Sequence, residues 1–165
     1  MIFVTVGTHE QPFDRLVRCI DQMVADGKIK EEVIIQKGYT EYEPQNCKSY
    51  KLIGYEDMEK YINEARIIVT HGGPASFVAP LSIGKTPIVV PRQYKYNEHV
   101  NDHQLEFSLE VEKRMKNIIV AQNEKEIENA ILNYEEKIKT LCAGVKSNNE
   151  CFNNVLEEEI KRIFL

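Results

Sequence analysis

Short apolar segments alternate with amphipathic helical patterns along this sequence, and that alternation restricts the possible folds more than any other feature. Strands that are apolar throughout are typical of parallel sheets buried under helices on both faces. We therefore predict an α/β fold, a single Rossmann-like domain with a mostly parallel sheet and helices on both faces. The predicted strands lie within 2–6, 33–36, 50–53, 67–70, 87–91 and 118–121.

The helical patterns have apolar residues three or four positions apart, as in Leu16, Val17 and Ile20. Such spacing places the apolar side chains on one face of a helix. No linker or internal repeat interrupts the chain, so we predict one domain over residues 1–165. The predicted helices cover about 13–24, 56–65, 75–83, 98–114, 124–143 and 150–164, with a hinge at 144–149 before the last.

Composition narrows the classes of function. The net charge of −5 argues against a nucleic-acid partner, whose binding surface would be basic. The four cysteines are far apart with no CxxC pair, so we expect reduced thiols rather than zinc ligands or disulfides. The first residues read as a strand rather than a signal peptide, and no apolar run approaches the ~20 residues of a membrane span. We expect a cytoplasmic protein.

Polar residues that suit ligand binding follow the ends of three predicted strands. Gly7, Thr8 and His9 follow the first strand, the segment 71–76 follows another, and Arg92 with the segment 98–104 follows a third. All four histidines of the chain lie in these segments. Because ligands of open α/β sheets bind outside the carboxyl ends of the strands, we expect a binding site there.

The segment His71-Gly72-Gly73-Pro74-Ala75-Ser76 has the composition of a strand-to-helix turn that can bind phosphate. Glycines allow close approach of the backbone, and proline suits the first turn of a helix. The helix N-terminus then presents free amides to an anion. A turn whose glycines serve packing alone is the alternative. Neither GxxxxGK[ST] nor GxGxxG is present, so ATPase and dehydrogenase functions lack support.

The segment from His99 to Gln104 permits more than one interpretation. His99 and His103 have the i,i+4 spacing of metal ligands, but HExxH and a third ligand are missing, so we expect no metal. Asp102, His103 and Gln104 suit hydrogen bonds to sugar hydroxyls. Helix capping and solvation are the alternative. A serine hydrolase is disfavoured because the GxSxG motif is absent.

The run VTHGGPASFVAPLSIGKTPIVVPR, with EHVNDHQLEF after it, resembles the C-terminal domain of glycosyltransferase family 28, the donor-binding half of a GT-B fold. The opening IFVTVGTHEQPFDRLV resembles the small one-domain members, which act in the dolichol pathway and in bacterial capsule and exopolysaccharide synthesis. The resemblance assigns the donor diphosphate to Gly7, Thr8, His71, Gly72, Gly73 and Ser76. It assigns the donor sugar to Asp102, His103 and Gln104, and places His9, Arg92 and His99 at the rim.

The resemblance also implies an activity. The chain would be the donor-binding catalytic subunit of a two-component inverting transferase, using UDP-galactose, UDP-GlcNAc or UDP-glucuronate. It would need neither metal nor cofactor. A membrane-associated partner subunit would supply the lipid-linked saccharide acceptor and the catalytic base, and would recruit this chain to the inner face of the membrane.

Two alternatives and one departure from the family remain at this point. The chain could be a non-catalytic enhancer of a separate transferase, or part of a nucleotide-sugar epimerase, although 165 residues leave no room for the second domain of an epimerase. The departure is Ala79, which stands where many relatives have a glutamate that holds the ribose.

Overall fold

A computed structural model describes residues 1–142 together with Glu157, Lys161 and Arg162. Its strands are β1 (Ile2–Thr5), β2 (Val33–Gln36), β3 (Lys48–Tyr50), β4 (Ile67–His71), β5 (Ile88–Val90) and β6 (Ile119–Val120). All five strand pairs are parallel, and they form one sheet in the order β3-β2-β1-β4-β5-β6. The predicted α/β class with a parallel sheet is confirmed.

Helices cover both faces of this sheet, because each strand buries alternate side chains on opposite sides. They are α1 (Asp14–Ala25), α2 (Tyr55–Glu64), α3 (Pro74–Ser82), α4 (His103–Met115), α5 (Glu124–Leu132) and α6 (Tyr134–Ile138), with a short 3₁₀ helix at Tyr94–Tyr96. Val4 and Val69 pack with α1 and α5 on one face, in the largest apolar cluster. Phe3 and Ile68 pack against α2 on the other face, and Val89 packs with α3.

The order of the strands fixes where a ligand can bind. From β1 the chain first adds β2 and β3 on one side, then returns to place β4 on the other side. The connections after β1 and β4 therefore diverge and leave a crevice between the carboxyl ends of these two neighbours. That point is the usual ligand site of an open α/β sheet.

Three predicted boundaries are wrong. The helix expected over 98–114 begins only at His103, and the strand expected over 50–53 lies at Lys48–Tyr50. The helix expected over 124–143 is divided at Asn133 into α5 and α6.

Part of the predicted C-terminal region falls outside the described residues. That holds for the hinge at 144–149 and for most of the helix expected at 150–164. Glu157, Lys161 and Arg162 are helical, and Lys161 Nζ lies 2.7 Å from Glu157 Oε1. Within the described part of the chain, no helix has the length and apolar character needed to span a membrane.

Candidate functional site

A cleft of about 410 Å³ opens at the carboxyl ends of β1 and β4, where the strand order reverses. Four of the residues predicted to bind a diphosphate line it together: Gly7, Thr8, His71 and Ser76. The remaining lining residues are Thr5 and Gln36 from the strands, Met58 and Ile62 from α2, and Ala75 and Ala79 from α3.

His71 lies between two glycines that have no room for a side chain. A Cβ atom on Gly7 would lie 2.5 Å from Cε1 of His71, and one on Gly73 would lie 2.5 Å from its Nε2. Gly7 also has a φ of +75°, which side chains disfavour. The Ser76 hydroxyl lies 3.4 Å from Nε2 of His71. The glycines on both sides of the strand ends are thus required to place this imidazole in the cleft.

Burial controls the charge of His71. Desolvation lowers its pKa to about 4, and the nearby positive charge of Arg92 acts in the same direction. The Thr5 backbone has a smaller opposite effect, although Nδ1 of His71 is buried without a hydrogen bond of good geometry. His71 is therefore neutral at pH 7, so it can offer an anion a hydrogen bond but no fixed positive charge.

The N-terminus of α3 is the second element of the site. Gly73 is its N-cap with extended backbone, Pro74 occupies the first helical position, and the first turn has no acidic residue. Ala75 and Ser76, in that turn, line the cleft. Pro74 has no N–H and the Ser76 amide donates to the Gly73 carbonyl oxygen (3.0 Å), so the Ala75 amide is the one in this turn without a partner among the described residues. This amide and the positive end of the helix dipole face the space beside His71.

Gly72 has a different environment from the one predicted. It is buried, and a Cβ atom there would lie 2.9 Å from Cβ of Gln104 and 3.1 Å from Oγ of Ser108. Gly72 therefore lets α4 pack against the turn that follows β4. The predicted sugar-binding residues are joined to the cleft by this contact.

Asp102, His103 and Gln104 stand at the start of α4 beside the cleft, and none of them lines it. Gln104 Oε1 accepts a hydrogen bond from the Arg92 amide (3.2 Å), which leaves its NH₂ group to donate. Asp102 Oδ1 accepts from the Tyr94 amide (2.8 Å), and its second oxygen has no partner among the described residues. His103 is exposed.

The predicted rim residues do not share one environment. His9 and His99 are half-buried, and their rings are in contact in a tilted arrangement, with centroids 4.9 Å apart and an interplanar angle of 41°. Burial, then the charge of Arg92, lowers the pKa of His9. His99 lies before α4 begins, so it does not share a helical face with His103. Within the described residues, no three His, Cys, Asp or Glu side chains are grouped to hold a metal ion.

Arg92 is not at the rim, and that prediction is wrong. Its side chain is 0% exposed and donates to the carbonyl oxygens of Val6 (3.0 Å), Gln11 (2.8 Å) and Glu98 (3.2 Å). Burial lowers its pKa to about 10, so it stays charged. Arg92 holds the loop after β1 against the loop after β5, and its role is to position both.

Sequence reasoning missed the ion pair that supports this arrangement. Arg15 of α1 binds both carboxylate oxygens of Glu98, at 2.8 and 2.9 Å, and both side chains are almost fully buried. Gln36 was also not predicted as a site residue, although its side-chain oxygen accepts a hydrogen bond from the Thr5 hydroxyl beneath the cleft. Its position as a polar residue at the end of an apolar strand could have indicated it. The Arg15–Glu98 pair, separated by 83 positions, has no such signal.

Comparison with known proteins places these features in a family. The model of the glycosyltransferase family 28 C-terminal domain matches residues 1–160. The human UDP-N-acetylglucosamine transferase subunit ALG13 is 30% identical over 121 residues, which cover 68% of this chain and 10% of that protein. The chain thus spans about a tenth of the length of this relative.

Three solved glycosyltransferases share the fold. The glycotransferase of kitacinnamycin superimposes with a TM-score of 0.57 at 13% identity, covering 80% of this chain and 34% of that one. SnogD from Streptomyces nogalater gives 0.51 at 14% identity, over 85% and 39% of the two chains. Acinetobacter baumannii MurG gives 0.50 at 17% identity, over 84% and 42%. At these identities the likeness concerns the fold.

Proposed function

Because the chain belongs to the glycosyltransferase family 28 C-terminal domain family, we propose that it is the donor-binding subunit of a two-part glycosyltransferase. In this proposal the whole chain, residues 1–165, serves as one donor-binding unit. The donor is a UDP-sugar, and its sugar passes with inversion to a lipid-linked saccharide in polysaccharide synthesis. One observation carries the proposal: His71 and the N-terminus of α3 face the same cleft at the point where the strand order reverses.

The residues of this cleft suit a diphosphate. The Ala75 amide and the Ser76 hydroxyl are hydrogen-bond donors at this cleft, and neutral His71 adds a third in the tautomer that carries its proton on Nε2. Fixed donors of this kind stabilise negative charge as it develops on a leaving group, here UDP, without reorganising during the reaction. Thr8 and the backbone of Gly7 complete the diphosphate site from the loop after β1.

The donor sugar lies toward α4. Gly72 brings the first turn of α4 next to the diphosphate site, and Gln104 offers its NH₂ group while Asp102 offers a carboxylate oxygen. A donor and an acceptor side by side match a sugar hydroxyl, which both accepts and donates. Galactose, N-acetylglucosamine and glucuronate are the candidate sugars.

A second, membrane-associated subunit completes the enzyme in this proposal. It brings the lipid-linked acceptor and the catalytic base, and holds this chain at the cytoplasmic face of the membrane. The name of the human relative, which describes a transferase subunit, supports a divided enzyme. The transfer itself needs no metal, since the charge on the diphosphate is met by protein hydrogen-bond donors.

Titration calorimetry of the isolated chain with UDP tests the donor site. We expect the wild-type chain to bind UDP, with or without EDTA, and His71→Ala to lower the affinity at least tenfold because the central donor is lost. His103→Ala is the matched control. Its exposed ring is assigned to the sugar, so UDP affinity should stay within twofold. If the wild-type chain bound no uridine nucleotide, the proposed donor site would be wrong.

A further inference from the structure

A second cavity, of about 220 Å³, adjoins the diphosphate cleft on the side away from α4. The two cavities share Met58, Ile62 and Ala79 as lining residues. Ala79 is small, so the wall that α3 contributes between them is low. The second cavity is otherwise lined by Tyr55, Glu59 and Asn63 from α2 and by Ser82 and Ile83 at the end of α3.

The order of the groups along the proposed donor places its nucleoside in this second cavity. The sugar and the nucleoside are attached to opposite ends of the diphosphate, and the sugar end is assigned to α4. The nucleoside must then extend toward α2. Ala79 follows Ser76 by three residues, a rise of about 4.5 Å along α3. Since a single ester oxygen joins ribose to phosphate, the ribose comes to lie beside Ala79.

A ribose presents two adjacent hydroxyl groups, and a carboxylate can accept a hydrogen bond from each. In the described lining of the diphosphate cleft there is no carboxylate. The adjoining cavity has one, that of Glu59. Glu59 forms no ion pair or side-chain hydrogen bond with any other residue in the described part of the chain.

Asn63 is one turn further along the same face of α2. Its Nδ2 donates to the Glu59 carbonyl oxygen (2.9 Å), which leaves Oδ1 available to a hydroxyl. The end of α2 that carries Asn63 is held in place by Lys85, whose ammonium group donates to the carbonyl oxygens of Ile62, Asn63 and Ala65. A cation at the carboxyl end of a helix stabilises the last turn.

We propose that the ribose of the donor nucleotide is held from α2, by the carboxylate of Glu59 with Asn63 beside it, and not from α3. Ala79 permits this because its methyl group leaves the passage between the two cavities open. The proposal rests on the proposed UDP-sugar function, and it assigns the ribose contact that Ala79 cannot make.

Calorimetry with three probes tests this assignment: UDP, 2′-deoxy-UDP and inorganic pyrophosphate. In the wild-type chain, UDP should bind about tenfold more tightly than 2′-deoxy-UDP, because a hydrogen bond to a charged group is lost. Glu59→Gln should weaken UDP about tenfold, remove that preference, and leave pyrophosphate affinity unchanged. Glu64→Gln is the matched control, an exposed glutamate of α2 that lines neither cavity.

A second variant tests whether a carboxylate on the facing wall restores the contact to the ribose. Adding Ala79→Glu to Glu59→Gln supplies a carboxylate from the facing wall, and we expect the preference for UDP over 2′-deoxy-UDP to return. If UDP bound to the wild-type chain and Glu59→Gln changed nothing, the ribose assignment would be overturned while the donor site stood. Absence of UDP binding to the wild-type chain would overturn both.

Discussion

The imidazole of His71 shows how the chemistry of one residue depends on its neighbours. Gly7 and Gly73 lie against its ring, and burial together with the positive charge of Arg92 keeps it neutral at pH 7. A neutral imidazole buried beside an anion site can take up a proton when the anion arrives, since a negative charge favours the protonated form. The residue proposed to bind the diphosphate therefore also links the site to pH.

This linkage predicts how stability changes with pH. The pKa of His71 is about 4 in the folded chain, against an ordinary 6.5 in the unfolded chain. Between these values the unfolded chain binds a proton that the folded chain does not, so the free energy of unfolding falls as the pH is lowered from about 6.5 to 4. The expected loss from His71 at pH 4 is about 3 kcal/mol.

Urea unfolding between pH 7.5 and pH 4 measures this loss. His71→Asn should lack the component, so its curve should be flatter than that of the wild-type chain by the stated amount. His103→Asn replaces an exposed histidine and should keep the wild-type dependence. Equal losses in the wild-type chain and in His71→Asn would contradict a neutral buried His71.

The sequence predicts which residues are near the site better than what each one does there. Gly7, Thr8, His71 and Ser76 line one cleft, because parallel strands bring their carboxyl ends to one edge. Gly72 and Gly73 have the same chemical identity, yet one packs against α4 and the other makes space for an imidazole. The rim prediction for Arg92, which the resemblance implied, is wrong because its acceptors are backbone carbonyls, and no sequence pattern marks such contacts.

At the scale of elements, periodicity locates the buried parts of the chain and fails where a long-range polar contact decides a boundary. The strand patterns at 33–36 and 67–70 agree closely with β2 and β4. The helical pattern around 98–114 extends too far toward the N-terminus. Asn97 adopts a left-handed conformation (φ 57°), and Glu98 turns inward to meet Arg15, so α4 begins five residues later.

The Arg15–Glu98 pair therefore controls the position of a whole element. Glu98→Ala leaves the guanidinium of Arg15 buried without its partner, which we expect to cost about 3–5 kcal/mol in the free energy of unfolding. The double variant Arg15→Met/Glu98→Ala should recover most of that loss, because no unpaired charge remains. Urea unfolding of the wild-type chain, Arg15→Met, Glu98→Ala and the double variant forms a double-mutant cycle that measures the coupling.

A solvent-exposed pair supplies the comparison. Arg66 and Glu135 are 45% and 60% exposed, so Glu135→Ala should cost far less than Glu98→Ala. Losses of similar size for the two glutamates, or a double variant as unstable as Glu98→Ala alone, would show that the buried pair does not hold the loop before α4.

At the scale of the whole molecule, the described chain places the residues proposed to bind the donor around one open cleft. The three solved glycosyltransferases extend well beyond the region they share with it, which is 34%, 39% and 42% of their chains. In the two-part proposal, the partner subunit supplies the facing side. This chain either holds the donor during transfer or only enhances a separate transferase. Turnover of the reconstituted enzyme distinguishes these two roles.

Gln104 separates these two possibilities, since its NH₂ group is assigned to the sugar and not to the diphosphate. In a transfer assay with the purified acceptor subunit, Gln104→Ala should lower kcat/KM about ten- to hundredfold, as expected for loss of one or two hydrogen bonds. UDP affinity of the isolated chain should stay within twofold, which would show that the diphosphate site is intact. Gln22→Ala, an exposed change on α1, is the control.

The substitution also removes the acceptor of the Arg92 amide, so the free energy of unfolding of Gln104→Ala must be measured beside its activity. A variant that remains folded and binds UDP but transfers sugar poorly has lost a contact made to the sugar. Unchanged turnover in such a variant would favour the enhancer, because a chain that holds no donor has no sugar contact to lose.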